Sequence, residues 1–205
     1  MIKNILFDLG GVLFHINYQD TIDAFEKIGG NNFKENYSQF NQDSIFDDYE
    51  IGHITTKKFV STLQKVLPNS TEKEIVAAWN AMLMGMPKEK FEYLKKLSEK
   101  YNLYLLSNTN ELHIESVNKT LKEELGIEDI GSYFTKAYYS HKIHMRKPYH
   151  QTFEWVLKDS NIKAEETLFV EDTIQHIKGA NNAGLKTHHF KSNSSFKDFY
   201  PDKAL

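Results

Sequence analysis

Asp8 follows the apolar run Ile5-Leu6-Phe7 and precedes Leu9-Gly10-Gly11-Val12, so a carboxylate stands where a buried strand gives way to glycines. A carboxylate there can be a metal ligand, a nucleophile, a general base or a helix cap. Three further polar stations follow at Ser107-Asn108, Arg146-Lys147-Pro148 and Glu171-Asp172. Ser107-Asn108 offers a hydroxyl and backbone amides suited to anionic oxygens, although Ser107-Asn108-Thr109-Asn110 also reads as a plain helix-capping run. Lys147, taken alone, reads as a solvated loop charge. Glu171-Asp172 ends another apolar run, where neighbouring carboxylates resist joint ionisation unless a cation joins them. As a set, the two acidic stations offer hard oxygen ligands for Mg²⁺, and the hydroxyl and lysine offer neutralisation of a transferring phosphoryl group. Such transfer rests on positioning and electrostatic stabilisation.

The elements that must position these residues alternate. Strand-like runs lie at 3–8, 102–106, 135–139, 167–170 and 186–190, and helical patterns near 88–100, 110–124, 149–160 and 173–183. Pro87 suits a first helical position, and Asn110 can cap the helix that holds Leu112 and Val117. The alternation predicts right-handed βαβ units: an α/β fold with a Rossmann-like, mostly parallel sheet flanked by helices. In such sheets chemistry gathers at the carboxyl ends of the strands, where helices depart in opposite directions.

Residues 15–87 break the rhythm. They show no convincing strand but amphipathic stretches near 18–29, 32–44, 55–67 and 71–85. Thr71-x-x-Glu74 reads as a capping box, and Gly29-Gly30 and Leu67-Pro68-Asn69-Ser70 read as breaks. The expected organisation is an α/β core from 1–14 and 88–205 with an all-helical cap, 15–87, over the catalytic edge. The tail 192–205 is polar, aromatic-containing and carries no clear pattern.

Composition narrows the partners. With 25 basic and 28 acidic side chains the formal net charge is −3, so no broad basic face for nucleic acid is expected. The absence of cysteine removes disulfides and thiolate metal sites. No run of about 18 apolar residues is present, and an acidic residue at position 8 interrupts any leader-like segment, so no membrane association is expected. The expected protein is cytoplasmic, a monomer or weak homo-oligomer, with a small-molecule phosphate ester as its partner.

Asp8-Leu9-Gly10-Gly11-Val12, Ser107-Asn108, Lys147-Pro148 and Glu171-Asp172, in that order, resemble the four motifs of the haloacid dehalogenase-like hydrolase superfamily. The resemblance covers essentially the whole chain, including a helical cap after the first motif. Within the superfamily the likeness is to the bacterial α-D-glucose-1-phosphate phosphatase group. It is carried by Phe7-Asp8-Leu9-Gly10, Leu106-Ser107-Asn108-Thr109-Asn110, Met145-Arg146-Lys147-Pro148 and the cap run Tyr49-Glu50-Ile51-Gly52-His53-Ile54. The resemblance implies two-step phosphomonoester hydrolysis, in which Asp8 attacks phosphorus and water then cleaves the aspartyl-phosphate. It implies Mg²⁺ held by Asp8, the Gly10 carbonyl and Asp172, with Glu171 nearby or acting through water. It also implies that Ser107 and the Asn108 amide bind phosphoryl oxygens. Lys147 balances the charge of Asp8 and phosphate and pairs with Glu171, and the cap excludes water and reads the leaving group.

The chain departs from that pattern at Gly10, where most phosphatases of the superfamily carry an aspartate that acts as general acid and base. Such assistance is typically worth about 10²–10⁴ in rate. A sugar 1-phosphate, with its more acidic anomeric leaving group, depends on it less. His144 replaces a usual Gly, His176 a usual Asn or Asp, and Glu171-Asp172 a usual Asp-Asp. The competing readings are a catalytically weak or inactive phosphate- and Mg²⁺-binding relative, a carbon–halogen hydrolase, and a phosphorylation receiver domain. The last two fit poorly with the acidic pair and the helical insert, respectively.

Nine histidines raise the question of zinc, but His141-x-x-His144 and His188-His189 have no recognised ligand spacing. His15 reads either as a proton carrier near the site or as a polar hinge residue. Trp79, Met82, Met84 and Met86 read as packing residues of the cap or its contact with the core.

Overall fold

The strand at the centre of the sheet, β1 (Asn4–Phe7), is buried along its whole length, as a strand covered on both faces must be. A computed structural model describes residues 1–29 and 44–191. After β1 comes an antiparallel pair, β2 (His15–Ile16) and β3 (Leu83–Gly85), with the helices α1 (Tyr18–Gly29), α2 (Ile45–Glu50), α3 (Thr56–Val66) and α4 (Glu72–Asn80) between them. The chain then runs through α5 (Lys88–Ser98), β4 (Asn102–Ser107), α6 (Glu111–Leu125), β5 (Lys136–Tyr139), the short α7 (Ser140–Ile143), α8 (His150–Ser160), β6 (Thr167–Glu171), α9 (Ile174–Asn182) and β7 (Lys186–His189). The main sheet has the order β5-β4-β1-β6-β7, and every neighbouring pair is parallel.

This order sets the functional edge. The chain leaves β1 toward β4 and leaves β6 toward β7, so the adjacent strands β1 and β6 send their connections in opposite directions. A crevice opens at that switch point, at the carboxyl ends. Phe7 is in register with Val170, and the Asp8 N–H donates to the Val170 carbonyl at 3.0 Å, so Asp8 and Glu171 extend side by side.

Side chains alternate between two apolar layers, as strand geometry dictates. Ile5, Phe7, Leu105 and Val170 pack with Phe91, Leu94, Val117 and Leu121 of α5 and α6. Leu6, Tyr104, Leu106 and Phe169 pack with Phe153, Val156 and Ala180 of α8 and α9. Asn110 caps α6 by accepting from the His113 N–H at 3.1 Å, and Gly126 ends that helix at φ 70°.

The inserted helices share an apolar cluster built on Phe25, Phe59, Leu63 and Ile75, which Leu112 of α6 joins. Thr71 and Glu74 form the reciprocal capping box of α4. Two details differ from expectation. The helical pattern drawn to residue 85 ends at Asn80, and the insert contains strands, because β2 and β3 pair where the chain leaves and re-enters the core. Thr21 closes the end of α4: its hydroxyl donates to the Trp79 carbonyl at 3.2 Å and accepts from the Met82 N–H at 3.1 Å. Pro87 lies one position before α5, its carbonyl accepting from the Lys90 N–H at 3.0 Å. The helix expected at 32–44 and the tail 192–205 fall outside the described residues. Among the described residues no helix is long and apolar enough to cross a membrane.

Candidate active site

Asp8, one residue past β1, and Glu171, the last residue of β6, reach the same buried point. The Nζ of Lys147 meets Asp8 Oδ1 and Glu171 Oε2, each at 2.7 Å. Lys147 is fully buried (0% exposed), unlike the solvated loop charge it resembles when taken alone. Burial alone depresses an ammonium, but the charges of Asp8 and then Glu171 outweigh it and hold Lys147 above its ordinary pKa. Burial also opposes ionisation of Glu171, yet Lys147 and His176 outweigh it and keep this carboxyl well below the usual range. Asp8 is pushed the other way, first by burial and then by the Glu171 charge.

The oxygens of Glu171 are well occupied. Oε1 accepts from the backbone N–H groups of Asp172 and Thr173, both at 3.1 Å, while Oε2 meets Lys147 and lies 3.0 Å from His176 Nδ1. Asp172 turns into the crevice, with its Oδ1 accepting from the Thr173 hydroxyl at 3.1 Å and its carbonyl accepting from His189 Nε2 at 3.0 Å. Burial and then Glu171 push Asp172 up to about 6. Carboxylate oxygens of Asp8, Glu171 and Asp172 lie within 4.8 Å of one another, the one metal-competent cluster among the described residues. Gly11 makes room for it. At φ +77° it carries no Cβ, and one placed there would stand 2.0 Å from Asp172 Oδ2.

Asn108, just past β4, grips the Lys147 loop. Its Nδ2 donates to the Lys147 carbonyl, and its Oδ1 accepts from the Lys147 N–H, both at 2.9 Å. From the other side, Gly179 of α9 lets Pro148 approach so closely that a Cβ would stand 1.9 Å from the Pro148 carbonyl oxygen. Asp8, Gly10, Ser107, Asn108, Lys147 and Asp172 line one cavity of about 130 Å³, with Glu171 behind it. Ile16 borders the same cavity, and its Cδ1 lies 3.1 Å from where a Gly10 Cβ would begin.

A second cavity, about 260 Å³, continues toward the inserted helices and shares Tyr18, Met82, Asn108, Thr109 and His113 with the first. His113 stacks on Trp79 at 5.0 Å, and its Nε2 lies 3.2 Å from the Trp79 carbonyl. A carbonyl only accepts, so Nε2 carries the proton, and Nδ1 accepts from Asn110 Nδ2 at 3.2 Å. Burial pushes His113 down to about 4, so the ring is neutral. Asn110 Oδ1 also accepts from Trp79 Nε1 at 3.3 Å, tying α4 to α6.

Several residues here escape a sequence reading. His113 and Tyr18 border the cavities, but nothing in their spacing marks them; His176, read as a departure after the acidic pair, touches Glu171, and Trp79, read as a packing residue, also lines the second cavity. Met82 and Met86 are buried, as packing residues should be, and Met82 also lines both cavities; Met84 is largely exposed and does not match the packing role expected of it. His15 is exposed on β2, and its neighbours Phe14 and Ile16 line the cavity in its place. His141 and His144 are spent on carbonyls, those of Thr109 at 3.2 Å and Ile51 at 2.8 Å.

The haloacid dehalogenase-like hydrolase family model matches residues 2–184, so the chain belongs to this family and is a hydrolase. A D-ribitol-5-phosphate phosphatase of Bacteroides thetaiotaomicron is 30% identical over 188 residues, 91% of each chain. Among solved structures, a family enzyme of B. thetaiotaomicron in complex with magnesium and inorganic phosphate superposes with a TM-score of 0.87 at 36% identity, covering 96% of this chain and 98% of that one. A family member from Porphyromonas gingivalis gives 0.85 at 30% identity, over 96% and 94%.

Proposed function

We propose that this chain is a Mg²⁺-dependent phosphomonoesterase acting through an aspartyl-phosphate on a small phosphorylated sugar or sugar alcohol. The convergence of Asp8, Lys147, Asp172 and Ser107 on one cavity carries the reading. The donor set fits Mg²⁺. Asp8 and Asp172 are hard oxygen ligands whose oxygens lie within 4.8 Å of each other, and Gly10 would add a backbone carbonyl. Bound there, Mg²⁺ supplies charge neutralisation for Asp8 and for a phosphoryl oxygen.

In the first step an Asp8 oxygen attacks phosphorus in line, the P–O bond to the alcohol breaks, and the alcohol leaves with the bonding pair and takes a proton from water, since Gly10 supplies none. In the second, water attacks the aspartyl-phosphate, phosphate departs, and Asp8 returns as carboxylate. Lys147, rigid between Asp8 and Glu171, offsets the charge that builds on the phosphoryl oxygens. Ser107 and the Asn108 N–H would bind those oxygens, and Glu171 orients Lys147 and would help hold the metal directly or through water. Residues 15–87 act as the cap that excludes water.

The sugar 1-phosphate suggested by the motifs and the ribitol phosphate of a relative share a polyhydroxylated leaving group. The test is phosphate release from p-nitrophenyl phosphate and a panel of sugar and polyol phosphates, with and without Mg²⁺, by the native chain and Asp8→Asn. Turnover that needs Mg²⁺ and vanishes in Asp8→Asn supports the reading. Full turnover by Asp8→Asn sinks it, and no turnover of any ester favours a binding protein that has lost catalysis with Gly10.

A further inference from the structure

The second cavity carries information about the leaving group that the phosphate site does not. Its acidic members are Glu50 and Asp47, and among its described lining residues there is neither Lys nor Arg. Arg146 stands behind them, its guanidinium paired with both carboxylates: Nε lies 2.9 Å from Glu50 Oε1 in an ion pair, and Nη1 donates to Asp47 Oδ1. One guanidinium against two carboxylates leaves that wall net negative. The histidine that closes the cavity adds no positive charge, since both of its ring nitrogens are committed to Trp79 and Asn110.

The position of Glu50 is set from several directions. Ser140, fully buried, donates from its hydroxyl to the Glu50 carbonyl at 2.7 Å, and His144 Nδ1 donates to the next carbonyl, Ile51, at 2.8 Å. Gly52, at φ +70°, lets the same turn lie on α7, where a Cβ would stand 2.2 Å from the His141 carbonyl oxygen. The residue after Arg146 is Lys147, so one loop holds both the phosphate-side lysine and the cap-side carboxylate. Phe46, Trp79 and Met82 give the cavity an apolar wall, and its volume of about 260 Å³ lies below the roughly 300–1,000 Å³ of drug-sized sites.

The geometry points to Glu50, oriented by Arg146, as the specificity residue that accepts hydrogen bonds from hydroxyls of an uncharged, polyhydroxylated leaving group and rejects anionic ones. The inference rests on the phosphatase reading. A carboxylate that already shares a guanidinium is an acceptor with fixed direction, matched by alcohol donors. A second phosphate or a carboxylate on the substrate would meet like charge; the described lining residues include no Lys or Arg, and the Arg146 behind them is already paired with those carboxylates.

The test measures kcat/KM for ribitol 5-phosphate and glucose 1-phosphate, for the anionic-alcohol esters 2-phosphoglycolate and fructose 1,6-bisphosphate, and for p-nitrophenyl phosphate. The hydroxyl-rich monophosphates exceed the anionic-alcohol esters by at least about tenfold. Glu50→Ala lowers the polyol-phosphate to p-nitrophenyl-phosphate ratio by about 10- to 100-fold, the range of a hydrogen bond to a charged group. Glu50→Gln keeps the side-chain volume, lowers the same ratio less, and gives the reading if the alanine variant does not fold. Equal losses on both substrates, an unchanged ratio, or preference for anionic alcohols overturns the inference. Asp8→Asn run in parallel separates this outcome from failure of the phosphatase reading, because that failure shows as full turnover by Asp8→Asn or as no turnover of any ester by the native chain.

Discussion

Asn108 and Lys147 exchange two hydrogen bonds of 2.9 Å, the amide of one matching the backbone N–H and carbonyl of the other. An Asn side chain carries the same donor and acceptor as a peptide group, so it can hold a loop as a neighbouring strand would. Here it fixes, from the end of β4, the backbone of the lysine whose ammonium reaches Asp8. The lysine therefore enters the crevice from a defined direction without belonging to a strand.

Loss of that clasp separates positioning from charge. Asn108→Ala removes both bonds, leaves the Lys147 carbonyl without this donor, and costs about 1–3 kcal/mol of stability. Misplacement of the ammonium by even about 1 Å lowers kcat by up to roughly 10²-fold. Urea unfolding together with phosphate-release kinetics checks both. A variant with wild-type kcat shows that the clasp does not position the lysine.

Removal of the ammonium is more severe. Lys147→Met keeps volume but leaves Asp8 and Glu171 buried without their shared cation, a change that costs about 3–5 kcal/mol when a buried pair is broken. Turnover falls by at least about 10²–10³-fold, as for loss of one group that stabilises transition-state charge. Denaturant midpoints and single-turnover phosphate release measure the two effects. Wild-type stability in the variant contradicts the buried triad.

Gly11 tests the metal. Gly11→Ala forces an L side chain into the left-handed region, at about 1–2 kcal/mol, and drives its Cβ against the Asp172 carboxylate. The Mg²⁺ concentration for half-maximal activity rises by about 10–100-fold, as when the support of a metal ligand is lost. Mg²⁺ titration of activity and of thermal stability reports this. An unchanged midpoint excludes Asp172 from the metal site.

His113 makes stability pH-dependent. Its folded pKa of about 4 lies below its ordinary 6.5, so between these values the unfolded chain binds the proton and the folded chain does not. Stability then falls as pH drops from about 6.5 to about 4, by up to roughly 3 kcal/mol. In His113→Gln this component is absent, so the stability difference between pH 7 and pH 5 shrinks relative to the native chain. Parallel pH profiles of the denaturant midpoint would expose a mistaken assignment.

The alternation of short apolar runs with capped helices was enough to place β1, β4 and β6, because buried parallel strands are apolar on both faces and this is written in consecutive residues. The edge strands β5 and β7, more polar and partly exposed, follow from their place in the alternation. The acidic ends of β1 and β6 were legible for the same reason, as charge that interrupts an apolar run. The pair β2–β3 was not. Strands of two and three residues have no period to read, and they exist only because distant segments meet.

Lys147 marks the boundary between the two kinds of information. Its sequence setting, between Arg146 and Pro148, is that of an exposed loop, and its complete burial follows from carboxylates 139 positions before it and 24 positions after it in the chain. Glu50, His113 and Trp79 likewise acquire their roles from contacts between the insert and the core. Sequence alone determined which chemical groups the chain owns and which strand ends display the acids, since local periodicity dictates strands and caps. Tertiary structure decided which charges are desolvated together, because burial and pairing are properties of neighbours in space.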